Sequence, residues 1–148
     1  MGGGTPVLQK RPKGGNRTLE NSIKELVYDR LEREKEMLNA SGENLKIHQY
    51  RTSLNRSYYA VFHGMRAVNV LEGFDSSKHS GVIAYFNRSF LKEGKLNRDL
   101  YQIIKAISYL REKSDYDDFY IAGKQEAEEQ LKSVRFFVAS VEEYLKSV

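Results

Sequence analysis

The chain has 148 residues, with 24 Lys and Arg against 20 Asp and Glu and no cysteine; this excludes disulfides and thiolate metal sites and suits a reducing compartment, the cytoplasm. That length encloses one hydrophobic core without covalent staples, and no run approaches the roughly 18 apolar residues that span a bilayer or the apolar stretch of a signal peptide. A formal net charge of +4 tolerates a polyanionic partner without demanding one.

The opening segment "MGGGTPVLQKRPKGG" holds both prolines and five of the eleven glycines, with no hydrophobic period. Residues 1–17 therefore read as a flexible leader or expression remnant, and 18–148 as the folded domain. Without the leader cations Lys10, Arg11 and Lys13 the charge drops from +4 to +1, so binding to nucleic acid has to rest on a local site.

Beyond the leader the pattern is helical throughout. Leu19, Ile23, Leu26, Val27, Leu31 and Leu38 recur at three- and four-residue steps, which predicts a first helix from about Thr18 to Ala40. Within it the charges of "DRLEREKE" form a solvated face. The glycine in "SGEN" supplies the stop. A second helix is expected from about Leu45 to Leu71. "EGFDSSKHSG" then breaks the pattern, with Asp75, Ser76 and Ser77 as caps for a third helix carrying Val82, Ile83, Phe86 and Phe90. Leu100, Ile103, Ile104, Ile107 and Leu110 define a fourth. "REKSDYDDFY" reads as an acidic, aromatic loop that packs over the end of the bundle. Ala127, Leu131, Val134, Val138, Val141 and Leu145 define a fifth helix. The architecture expected is all-α, an antiparallel up-and-down bundle of about five helices.

The second helix has an unusual composition on the side away from its core stripe. Leu54, Tyr58, Val61, Phe62 and Met65 share one arc, whereas Arg56 and His63 lie nearly two turns apart on one line opposite it, about 10.5 Å in rise. Ala60 and Ala67 share that line, with Tyr59 beside it and Gly64 at its margin. Solvated helix faces usually carry Lys, Glu and Gln, so this one reads as a contact surface for a second copy. A two-fold axis there gathers two arginines and two histidines in one groove.

"NRSYYAVFHGMRA", followed by "LEGFDSSKHSGVIAYF" and "LREKSDYDDFYIA", resembles the HEPN domain family from about Leu26 to Leu145. The family motif, an Arg followed after four to six residues by a His, is matched by Arg56 and His63. The resemblance implies a homodimer through the motif helices and, in many members, a metal-independent endoribonuclease. Such enzymes are often the toxin of a toxin–antitoxin pair whose partner is a minimal nucleotidyltransferase. It implies that Arg56 holds the scissile phosphate of an RNA substrate and that His63 is the general acid or base, with a 2′,3′-cyclic phosphate as product. Neither cofactor nor metal is implied. The alternative is a non-catalytic HEPN subunit that binds a nucleotide or docks a nucleotidyltransferase.

Further substrate-binding candidates surround the pair. Ser57 follows the motif arginine directly, where family members usually carry Asn, Asp or His. Tyr59 is placed to stack on a base, and Arg66 favours a neutral His63. Lys78 and His79, at a helix N-terminus, are positioned to receive a phosphate. The three histidines lack the spacing of a metal motif, and His48 reads as a surface residue. Tyr116 and Tyr120 are candidates for adenylylation by a partner, as in some family toxins.

Overall fold

The structure, a computed structural model, describes residues 16–148, with side chains from Leu19 onward. Most of the leader expected over residues 1–17 therefore lies outside the described residues, and the first helix takes in positions 16 and 17. Five α-helices follow one another: α1 (Asn16–Lys46), α2 (Tyr50–Asn69), α3 (His79–Phe86), α4 (Leu100–Tyr116) and α5 (Lys124–Lys146). A 3-10 turn, Val70–Glu72, closes α2, and a π turn, Asn87–Leu91, continues α3. No strand occurs among the described residues, and the chain is the all-α bundle its periodicity implies.

Residue pairs across the helices give their directions. Ser41 meets Ser53 and Glu34 meets Gly64, so α1 and α2 are antiparallel. Gln130 meets Ser57 and Phe137 approaches Gly64, so α5 runs the same way as α2. Helix α4 reaches α5 through a short loop and shares a groove with it, from Gln102 to Leu110 on one side and Glu126 to Ser133 on the other. The four long helices thus alternate up and down, with α3 as a crossover. The parallel pair α2 and α5 forms the middle, flanked by α1 and α4, which do not touch.

The core lies where these helices meet. Val61 and Met65 of α2, Val82 and Phe86 of α3, Phe90 of the π turn, Leu100, Ile104 and Ile107 of α4, and Val134, Phe137 and Val141 of α5 are all buried. Burying a side chain of this size contributes about 1.5–3 kcal/mol. In the π turn Lys92 N–H donates to the Asn87 carbonyl at 2.8 Å. That wider turn keeps Phe90 facing inward, its ring 5.9 Å from that of Phe86, which lies 5.7 Å from Phe137.

Three element boundaries differ from the expectation. The stop at "SGEN" does not occur, and α1 runs on to Lys46. Glycine inside a helix costs about 1 kcal/mol relative to alanine, but tertiary contacts here favour continuing. The buried Ser41 hydroxyl donates to the Ser53 carbonyl at 2.8 Å and lies 3.0 Å from the Ser53 hydroxyl. A Cβ at Gly42 would crowd the Arg135 guanidinium at 3.3 Å. The chain reverses instead around the exposed His48, whose φ is 65°, so α2 starts at Tyr50 rather than near Leu45. Helix α4 continues through "REKSDY", with Arg111 and Asp115 paired one turn apart at 3.6 Å.

Candidate active site

Helix α2 is covered on nearly all sides. Its core stripe faces α3, α4 and α5, and Ala60, Gly64 and Ala67 are buried as well. Their cover is α1: a Cβ on Gly64 would collide with the Glu34 carboxyl. The small-residue surface expected to receive a second chain is therefore occupied by α1 of the same chain. Ala60 and Ala67 lie within about 40° of Arg56 around the helix, and that modest rotation separates an internal contact from an open face.

A narrow strip remains half-exposed, carrying Asn55, Arg56, Tyr59, His63 and Arg66. The line that joins Arg56 to His63 is thus at the surface. Arg56 donates to Asn55 Oδ1 at 2.5 Å and makes no ion pair with a described acidic residue. Ser57 is not on the strip: it is buried against α5, where its hydroxyl donates to the Leu54 carbonyl at 3.1 Å and accepts from Gln130 Nε2 at 2.7 Å. One residue along a helix is about 100° of rotation, enough to turn Ser57 from the groove into the core, so it cannot reach a substrate there.

His63 is held as a neutral ring. Burial, followed by the charges of Arg66, Arg33 and Arg30 and opposed by Asp29, lowers its pKa to about 4. Its Nδ1 is buried without a hydrogen-bond partner. Arg66 does favour the neutral imidazole, as its spacing implies, but it is already engaged: its Nη2 donates to Asp75 Oδ1 at 2.9 Å. Arg30 Nη2 donates to both oxygens of the same carboxylate at 2.9 Å. Burial alone would raise the Asp75 pKa, yet these two arginines hold it below the usual carboxylate range. Asp75, read from sequence as a cap, is instead the bridge between α1 and α2. Ser76 makes the local turn, its hydroxyl accepting from Lys78 N–H at 3.1 Å.

His79 joins the site from α3. Its ring stacks on Phe62 at 4.4 Å and meets the edge of Tyr59 at 5.5 Å, and its Nδ1 lies 2.9 Å from the Tyr58 hydroxyl. Tyr59 and Phe62 in turn contact the His63 ring at 6.2 and 5.6 Å. The two imidazoles therefore flank one aromatic patch. Burial and Arg111, whose guanidinium lies 5.0 Å from the centre of the Tyr58 ring, lower the His79 pKa. Lys78 is exposed at the head of α3. The structure thus brings together Tyr59, His63 and His79, with Arg66 close to His63 and Arg56 two turns away on the same strip, leaves Lys78 at the margin and places Ser57 in the core.

Arg30, Arg33, Asp75 and Arg111 were missed by sequence reasoning. The signal available was the three-residue spacing of Arg30 and Arg33, which is indistinguishable from a solvated face until α2 is placed beside it.

The α4–α5 loop does not pack its aromatics over the bundle. Tyr116, Phe119 and Ile121 are 77%, 91% and 86% exposed. Tyr120 alone is tucked in: its hydroxyl donates to Glu126 Oε1 and its carbonyl accepts from Arg51 at 3.2 Å. Neighbours in an extended segment point to opposite sides, so anchoring Tyr120 sends Phe119 and Ile121 outward. Burial and the Glu126 contact raise the Tyr120 pKa well above the usual phenol value.

Among the described residues no cluster of three His, Asp or Glu side chains is arranged to hold a metal ion, and no helix is long and apolar enough to cross a membrane. The family model for the HEPN domain matches residues 27–144. A UPF0332 protein of Thermotoga maritima is 29% identical over 116 residues, covering 78% of this chain and 88% of that protein. Two proteins of Methanocaldococcus jannaschii, each described as a "Putative toxin", are both 30% identical over 130 residues. They cover 84% and 88% of this chain, and 88% and 96% of their own lengths. The match spans all five helices and contains both Arg56 and His63, and the chain belongs to the HEPN domain family.

Proposed function

We propose that this HEPN chain is a metal-independent endoribonuclease, the toxin half of a cytoplasmic toxin–antitoxin pair, cutting RNA with Arg56 and His63. The observation that carries this reading is the placement of His63: a half-exposed imidazole bordered by arginines, on the same line of α2 as Arg56, which makes no ion pair with a described acidic residue. The toxin descriptions of two relatives agree with it. In the reaction His63 takes the proton of a ribose 2′-hydroxyl and the 2′-oxygen attacks phosphorus. The bond to the 5′-oxygen breaks, and that oxygen takes a proton from solvent. A 2′,3′-cyclic phosphate and a 5′-hydroxyl result. Arg56 donates to the phosphate oxygens as charge builds on them.

Within one chain Arg56 and His63 stand about 10.5 Å apart in rise, and the charges acting most on His63 are other arginines. A second copy crossing α2 antiparallel near Tyr59 brings the Arg56 of each copy level with the His63 of the other. The homodimer is therefore part of this proposal, seated on the exposed strip rather than on the alanines, and a minimal nucleotidyltransferase is its antitoxin. The low pKa of His63 also favours a second reading, because a base that weak suits a non-catalytic HEPN subunit that binds a nucleotide or docks the transferase.

Purified protein incubated with RNA in EDTA, beside His63→Ala, decides between them. Cleavage to cyclic-phosphate ends that disappears in the variant supports the enzyme. Intact RNA with the wild-type protein overturns it in favour of the subunit.

A further inference from the structure

Arg33 has no place in the motif, yet the packing of α1 on α2 sets it beside the reacting position. The antiparallel register runs from Ser41 opposite Ser53, through Glu34 against Gly64, to Arg30 and Arg66 on one carboxylate. Arg33 lies three residues on from Arg30 and His63 three residues back from Arg66, which in an antiparallel pair is the same step in the same direction, so the two stand near one level on neighbouring helices. Arg30 and Arg66 are occupied by Asp75, and Arg30 also pairs with Asp29 at 2.6 Å. Arg33 is exposed and makes no ion pair with a described acidic residue, although Asp29 and Glu36 lie one turn away on its own helix. Of the three arginines facing His63 it is the one whose guanidinium is available. Against the two aspartates, the cluster keeps one positive charge, and Arg33 carries it.

We propose that Arg33 binds the phosphate next to the scissile one, so that α1 and α2 together hold two successive phosphodiesters of single-stranded RNA. This rests on the endoribonuclease reading and adds to it a minimum substrate: an RNA with a second phosphate beside the cleaved one. The Arg30–Asp75–Arg66 bridge serves as the brace that fixes Arg33 relative to His63. A planar guanidinium at the end of a long side chain suits a mobile backbone phosphate, donating two parallel hydrogen bonds.

Arg33→Gln tests the subsite, its fold checked by circular dichroism. One measurement is the ratio of kcat/KM for a trinucleotide with two phosphates to that for a dinucleotide with one. The ratio is expected to fall at least tenfold in the variant. The other is binding of a 2′-O-methyl RNA dodecamer, which cannot be cut, as a function of salt. The slope of log affinity against log salt is expected to shrink by about 0.7, the loss of one single-strand phosphate contact. An unchanged ratio and slope in a variant whose parent cleaves or binds RNA overturns the subsite alone. A wild-type protein that neither cleaves nor binds RNA overturns the endoribonuclease reading and the subsite with it.

Discussion

Replacing Glu34 by glutamine removes a buried acid that the fold holds at a cost. Glu34 is fully buried between α1, α2 and α5, and neither carboxyl oxygen has a hydrogen-bond partner. Burial, with a smaller contribution from Glu142 and opposed by Lys35, raises its pKa from 4.5 to about 8. The folded chain therefore keeps a proton on Glu34 that the unfolded chain releases above its own pKa. Stability is fully present below pH 4.5 and is lost as pH rises toward 8, at about 1.4 kcal/mol per pH unit. Between pH 5 and 8 this amounts to about 4 kcal/mol, a large share of a typical domain's stability. His63 contributes with the opposite sign: its lowered pKa adds stability as pH rises from about 4 to 6.5. The informative quantity is accordingly the difference between variant and wild type, in which His63 cancels. Urea unfolding followed by circular dichroism should show Glu34→Gln gaining about 4 kcal/mol on the wild type from pH 5 to pH 8. A difference constant to within about 0.5 kcal/mol across that range refutes the reasoning, because it means the carboxyl is ionised and solvated in the native state.

Other outcomes follow from the same packing. Gly64→Ala drives a methyl into the Glu34 carboxyl and should cost roughly 1–3 kcal/mol in urea unfolding; no loss would mean that the carboxyl swings aside and is not held against Gly64. Ser57→Ala leaves Gln130 Nε2 with the Leu54 carbonyl as its partner and should cost about 1 kcal/mol. RNA cleavage by that variant should stay within about twofold of wild type, since a buried hydroxyl facing α5 touches no substrate; a large drop in kcat would return Ser57 to the site. If His63 is the base, kcat/KM should hold from neutral pH down to about pH 4 and fall below it. An acid limb near pH 6.5 would show a normally solvated imidazole.

Much of the molecule was legible in its residues. The three- and four-residue spacing of Leu54, Tyr58, Val61, Phe62 and Met65 predicted the buried stripe of α2, and all five are buried. The seven-residue step from Arg56 to His63 put both on one line, which is where they emerge. Periodicity encodes this because a side chain's angle around a helix depends only on its position along it. What periodicity does not encode is which neighbour covers each angle. Ala60 and Ala67 read as an open face, and α1 closed it; Ser57 read as part of the groove, and Gln130 drew it into the core. The glycine of "SGEN" carried a genuine local stop signal, but Ser41 and Arg135 contacts from elsewhere in the chain outweighed it. Arg33 came near His63, and Asp75 came to bridge Arg30 and Arg66, only through docking, since both placements depend on the register of α1 on α2. Local chemistry specified the helices and their motif, and long-range packing decided which of their faces met water.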